Sequence, residues 1–255
     1  MSSFEIAGRR LESRLILGTG GFRNLQVMAE AARESGAELA TVAIRRVDPS
    51  ARGSIVEVLE ETGLEVLPNT AGCFTAREAV TTARLAREAL GTEWVKLEVI
   101  GDQQTLLPDT EGLLQATKVL ADDGFKVLAY TNDDLITALK LEQAGAVAVM
   151  PLASPIGSGL GMLNPFAIRT IKQRLSVPVI VDAGVGTASD ACIVMEQGVD
   201  GILMNTGIAA AQDPVRMASA MRSAVEAGRH AYLAGRMPRR EVAVPSSPTT
   251  GMVGS

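Results

Sequence analysis

Eight short runs rich in Val, Ile, Leu and Ala alternate along this chain with eight stretches of helical period, and no linker interrupts them. The runs cover residues 14–18, 39–44, 65–69, 94–100, 126–130, 146–152, 178–181 and 201–204. Helix starts are marked by Asn24, Ser54, Thr75, Thr131 or Asn132, and Asn164 ahead of Pro165, and stops by Gly36, Gly63 and Gly145. Strands joined through helices lie parallel, with the helices covering the sheet. Eight such units in 255 residues predict a (β/α)8 barrel, a closed eight-stranded parallel sheet inside a ring of helices, as one domain over 1–255. An open doubly wound sheet is disfavoured, because Gly18-Thr19-Gly20-Gly21 after the first run lacks the G-x-G-x-x-G spacing. Residues 1–13 form an extended lead-in that turns at Gly8, and the Pro- and Gly-bearing tail from about 237 to 255 carries no periodic pattern.

At 47% hydrophobic residues the chain can bury a full core, while a net charge of -5 argues against nucleic acid or an anionic membrane as partner. With 3% aromatic residues it also lacks a surface for stacking bases. No run approaches membrane-spanning length, so a soluble cytoplasmic protein is expected. Cys73 and Cys192 belong to no CxxC or His-rich cluster, so no metal is expected, and Cys73 reads as a small buried residue. His230, the single histidine, is expected past the last helix and facing solvent, and Arg45 and Arg46 read as rim residues, structural or substrate-holding.

The chemistry concentrates in the run 94–100. Alternation puts Lys96 and Glu98 on one face and Val95, Leu97 and Val99 on the other. The apolar face belongs under helices, which leaves Lys96 aimed into the barrel, where a lysine is rare unless paired or functional. One reading is an imine with a carbonyl substrate; the other is a structural ion pair with Glu98. At about 6–7 Å and an effective dielectric of about 20, an ionised Glu98 favours the ammonium by roughly 2.5 kcal/mol, close to two pKa units. A nucleophilic Lys96 therefore needs desolvation to win or Glu98 to hold a proton, which makes Glu98 a proton shuttle. Asp182, ending the seventh run, is a second acid/base candidate or a simple cap. The turns Gly157-Ser158-Gly159, Gly184-Val185-Gly186-Thr187 and Thr206-Gly207 sit where barrels bind phosphate, although glycines also serve tight turns. The loop 101–110 is longer than a usual βα connection, and beside a charged strand end such a loop is more often functional than idle.

Taken together, Val95-Lys96-Leu97-Glu98-Val99, Asp102 with Thr105-Leu106-Leu107-Pro108-Asp109, the stretch 151–164, Val181-Asp182-Ala183-Gly184-Val185-Gly186 and Met204-Asn205-Thr206-Gly207-Ile208-Ala209 resemble thiazole synthase of bacterial thiamine biosynthesis. The likeness runs from about Phe4 through Ser246-Ser247-Pro248. It implies a barrel that condenses 1-deoxy-D-xylulose 5-phosphate, dehydroglycine (2-iminoacetate) and sulfur into a thiazole phosphate carboxylate. The sulfur would arrive as a C-terminal thiocarboxylate on a ubiquitin-like sulfur-carrier protein. On this sequence Lys96 would form the imine and Glu98 and Asp182 would move protons. Gly157, Ala183, Gly184, Asn205 and Thr206 would hold the sugar phosphate. No metal or organic cofactor is implied, a homo-oligomer (dimer or tetramer) is expected, and Ser246-Ser247-Pro248 is expected to order near the mouth. The competing readings are a Schiff-base aldolase of a phosphorylated sugar and a non-catalytic sugar-phosphate-binding barrel.

Overall fold

The computed structural model describes residues 3–46 and 54–246. The lead-in is a small antiparallel hairpin, β1 (Phe4–Ile6) and β2 (Arg9–Leu11). The first half of the barrel follows as β3 (Leu15–Gly18), α1 (Leu25–Ser35), β4 (Leu39–Ala43), α2 (Ile55–Thr62), β5 (Glu65–Asn69), α3 (Ala76–Leu90), β6 (Trp94–Leu97) and α4 (Thr110–Asp122). The second half is β7 (Lys126–Thr131), α5 (Leu135–Gln143), β8 (Ala148–Pro151), α6 (Pro165–Arg174), β9 (Ile180–Asp182), α7 (Ala188–Met195), β10 (Gly201–Met204), α8 (Thr206–Ala209) and α9 (Pro214–Ala234).

Strands β3 to β10 pair in parallel in the order β8-β7-β6-β5-β4-β3-β10-β9. Parallel bridges Val149↔Val179 and Leu152↔Asp182 join the two ends of that order, so the sheet closes on itself as a (β/α)8 barrel. The side chains divide by strand alternation. Val95, Leu97, Val127, Ala129, Val181 and Ile202 face outward into the layer beneath the helices. Ile16, Leu39, Leu67, Leu128, Met150, Ile180 and Leu203 face inward and fill the lower barrel, together with Phe4, Ile6 and Leu11 from the hairpin. The lead-in is thus a plug for the amino-terminal end. Burying Ile6 and Leu11 there stabilises the fold by about 1.5–3 kcal/mol each. That end is packed shut, and a cavity opens at the carboxyl ends of the strands.

Helix caps follow the expected chemistry at Asn24, Ser54, Thr75 and Asn164, whose side chains accept from backbone N–H groups of the first turn. The start of α5 differs from expectation. Thr131 is still in β7, paired with Pro151, and the cap is Asp134, which accepts from Thr137 N–H. Helix α9 runs past Gly228 to Ala234, so His230 lies on it rather than beyond it, and it is exposed. Residues 236–246 are exposed and form no helix or strand, and none of them lines the cavity at the strand ends. Ser246 therefore stands in solvent, while Ser247 and Pro248 fall outside the described residues. No helix among the described residues is long and apolar enough to cross a membrane.

Candidate active site

The carboxyl ends of the strands surround a cavity of about 1200 Å³. Lys96, Glu98 and Asp182 lie on its floor and are the charged side chains that line it among the described residues. Lys96 projects from β6, Asp182 ends β9 on the far side of the barrel, and Glu98 follows β6 by one residue. Glu98 is past the end of its strand, so the ladder does not hold it. Thr70, 1% exposed, supplies the substitute: its hydroxyl accepts from Glu98 N–H and donates to Glu98 C=O, both at 2.8 Å.

The ammonium of Lys96 donates to Glu98 Oε1 at 2.9 Å and lies 2.7 Å from Asp182 Oδ2. One buried ammonium is thus shared between two buried carboxylates. Burial alone would push Lys96 down, but Asp182 and then Glu98 outweigh it and hold the ammonium above its ordinary range. Asp182 moves up as well, chiefly because burial disfavours its charge, with Glu98 adding to the rise and Lys96 opposing it. One cation between two buried carboxylates leaves an excess negative charge, and Asp182, raised by burial, is where a proton would enter first.

Tyr130 packs beside this group, its ring centroid 5.6 Å from Lys96 Nζ, and its hydroxyl donates to Leu106 C=O at 3.4 Å. Burial and the two carboxylates raise its pKa, so it remains a neutral donor. Leu106 belongs to the long loop after β6, which is pinned rather than loose. Asp102 accepts from Thr105 N–H and its hydroxyl, both at 2.7 Å, and Ile100 bridges Pro108. At the tip Leu106 has φ 55°, a left-handed conformation costing about 1–2 kcal/mol for a residue with a Cβ.

The glycine-bearing turns meet on one rim of the cavity. Gly157, Ala183, Gly184, Asn205 and Thr206 all line it. Ala183 (φ 69°) and Gly184 (φ 83°) are successive left-handed residues, and a Cβ at Gly184 would stand 2.0 Å from Ser154 Oγ. A Cβ at Gly186 would lie 2.7 Å from Gly159 O, and one at Gly207 would lie 2.6 Å from Val185 O. These glycines let neighbouring loops touch backbone to backbone. In the turn before α7, Gly186 N–H and Thr187 N–H are already partnered, both donating to Asp190 at 3.1 Å. The short helix α8 is different: Thr206 and Gly207 begin it, and first-turn N–H groups have no intrahelical acceptor. A short extra helix after the eighth barrel strand is a recurrent phosphate position in such folds. The Asn205 amide nitrogen is engaged elsewhere, donating to Gly20 O at 2.6 Å and Gly18 O at 3.1 Å, which ties the rim to the first βα turn.

The remaining singletons fall away from the chemistry. Cys73 is fully buried beside Thr82, and Arg45 donates to Gly72 C=O at 2.7 Å. No group of His, Cys, Asp and Glu among the described residues is placed to hold a metal ion. Thr70 and Tyr130 escape sequence reading, since nothing in their local pattern marks a contact made across strands.

Comparison with known proteins agrees with this geometry. The family model described as Thiazole biosynthesis protein ThiG matches residues 5–248. The thiazole synthase of Geobacter sulfurreducens is 57% identical over 251 residues, covering 98% of this chain and 96% of that protein. That of Methylobacterium sp. is 59% identical over 251 residues, covering 98% and 94%. Among solved structures, the Amycolatopsis orientalis BexX/CysO complex contains a chain 34% identical to this one, with a TM-score of 0.83 over 94% of this chain and 98% of that one. Thiamine phosphate pyrophosphorylase from Pyrococcus furiosus, at 16% identity and a TM-score of 0.58 over 85% and 96%, shares the fold alone. A match of this extent, on a barrel with a buried lysine between two carboxylates, settles the relationship: this chain belongs to the thiazole synthase family of thiamine biosynthesis.

Proposed function

We propose that this single-domain barrel makes the thiazole phosphate carboxylate of thiamine biosynthesis through an imine on Lys96. Its substrates are 1-deoxy-D-xylulose 5-phosphate, dehydroglycine and the thiocarboxylate of a ubiquitin-like sulfur carrier. The observation that carries this reading is the triad on the cavity floor, with Lys96 Nζ 2.7 Å from Asp182 and 2.9 Å from Glu98. A resting ammonium is no nucleophile, so it must lose a proton when the ketone arrives. Asp182, raised by burial and 2.7 Å from the nitrogen, is the acceptor. The neutral amine adds to the C2 ketone, and water leaves as the imine forms, carrying off the ketone oxygen. The imine acidifies the adjoining C–H, and Glu98 or Asp182 removes and returns protons as the carbonyl moves along the sugar.

Phosphate is held at the rim by Gly157, Ala183, Gly184, Asn205 and Thr206, with the free N–H groups at the start of α8 as donors. The described rim supplies no cation, which suits a site that leaves the charge balance at Lys96 undisturbed. For the sulfur donor, support comes from the similar barrel BexX, solved in complex with a second protein, CysO. Self-association as a dimer or tetramer is supported by the exposed apolar side chains Ile136, Leu163 and Phe166 on and near α5 and α6.

Borohydride reduction in the presence of deoxyxylulose phosphate, followed by peptide mass mapping, tests the proposal. The expected result is a sugar adduct on Lys96. An adduct elsewhere, or none, refutes the imine. Thiazole formation without carrier thiocarboxylate would refute the sulfur source.

A further inference from the structure

We infer that Asn69 is a positioning donor for the migrating carbonyl, and that its amide nitrogen binds the sugar oxygen on the carbon next to the imine carbon. The inference rests on the Lys96 imine proposed above. Asn69 ends β5, and in the β5–β6 ladder it is the residue paired in register with Lys96. In-register residues of adjacent parallel strands, about 4.8 Å apart, project from the same face. Asn69 therefore enters the barrel beside the lysine; it lines the cavity and is only 9% exposed.

The orientation of the amide is fixed by the chain itself. Its Oδ1 accepts from Ala71 N–H at 3.2 Å, which turns Nδ2 away from that turn. Nδ2 donates to no acceptor among the described residues. An amide with its oxygen committed and its nitrogen open to the cavity is placed to donate to an acceptor that arrives with the substrate.

The chemistry explains why the donor is an amide. The proton on C3 leaves to a carboxylate, its electron pair forms the C2=C3 bond, and the iminium π pair moves to nitrogen. The O3–H proton then leaves as C3=O forms, and C2 takes up a proton. The net change is an isomerisation that needs no oxidant. During it O3 changes from hydroxyl to carbonyl and becomes the stronger acceptor, so a fixed donor there is worth more in the transition state than in the ground state. A cationic donor would disturb the balance that lets Lys96 release its proton. A neutral amide does not.

The test separates donation from turn-making. Both Asn69→Ser and Asn69→Asp retain an oxygen that can accept from Ala71 N–H, and both remove the Nδ2 donor. Each variant is incubated with deoxyxylulose phosphate in deuterated water without carrier or dehydroglycine. Deuterium entering at C2, which records the step that makes the C3 carbonyl, is then divided by the borohydride-trapped adduct on Lys96. The expected ratio falls about 10- to 100-fold in both variants, with the adduct itself kept in the serine variant. A ratio within about twofold of the unmutated protein in either variant overturns the inference and leaves Asn69 a turn former. If the unmutated protein gives no adduct, the Lys96 imine fails and this inference with it, and that failure is distinguishable because it is seen before any substitution.

Discussion

Replacing Lys96 by Met tests the electrostatics of the site without touching substrate. The substitution keeps an unbranched apolar stem of similar length and deletes only the charge. Glu98 Oε1 and Asp182 Oδ2 both lie within hydrogen-bond reach of one nitrogen, so they are within about 6 Å of each other. Two ionised carboxylates at that separation, at an effective dielectric of about 20, repel by about 3 kcal/mol, which is roughly two pKa units. Without the ammonium between them, the pair should therefore hold its first proton to higher pH than it does in the unmutated protein. A carboxyl whose folded pKa is raised penalises the folded state only where the unfolded chain would have ionised. The penalty is absent where both states hold the proton, grows with rising pH as the unfolded chain ionises, and is complete once the folded pair has ionised too. The variant is thus expected to lose about 3 kcal/mol relative to the unmutated protein in urea unfolding at about pH 8, and to recover most of it at about pH 4.5. An equal loss at both pH values, or none at the higher one, would refute the view that the lysine holds two carboxylates in their charged forms. The same variant should make no thiazole, since it has no amine to form the imine.

Two further substitutions probe the far wall of the barrel. Asp182→Asn should still bind the sugar phosphate but turn over on the order of 100-fold more slowly, because the oxygen that takes the lysine proton is gone; an unchanged kcat would reduce Asp182 to a loop cap. Gly184→Ala combines a left-handed φ of 83° with a Cβ 2.0 Å from Ser154 Oγ and 2.5 Å from its backbone nitrogen. It is expected to cost about 3 kcal/mol or more in thermal or urea unfolding and to abolish deoxyxylulose phosphate binding by calorimetry. A loss below about 1 kcal/mol would show that these two loops are not locked together.

The elements that sequence made legible are those whose signals are local. Val95, Leu97 and Val99 read as the outward face because alternation is a property of any strand, and Lys96 stood out because a charge on the opposite face has few benign explanations. Asn24, Ser54, Thr75 and Asn164 could be recognised as caps because the group each satisfies lies within three residues. Asp134 was missed because whether Thr131 ends a strand or starts a helix depends on Pro151 across the ladder. At Gly186-Thr187 the two N–H groups donate to Asp190, an acceptor only three and four residues further on.

Sequence alone thus determined the alternation, the number of βα units, the closed parallel barrel and the identity of its one inward lysine, since periodicity and chain length dictate these without reference to distant residues. Tertiary structure decided the rest. It brought Asp182 across the barrel to 2.7 Å from Lys96, gave Thr70 the task of holding Glu98, and paired Asn69 in register with Lys96, its nitrogen donating to no acceptor among the described residues. Each depends on strand register and barrel closure, which set contacts between residues tens of positions apart and leave no local trace in the order of amino acids.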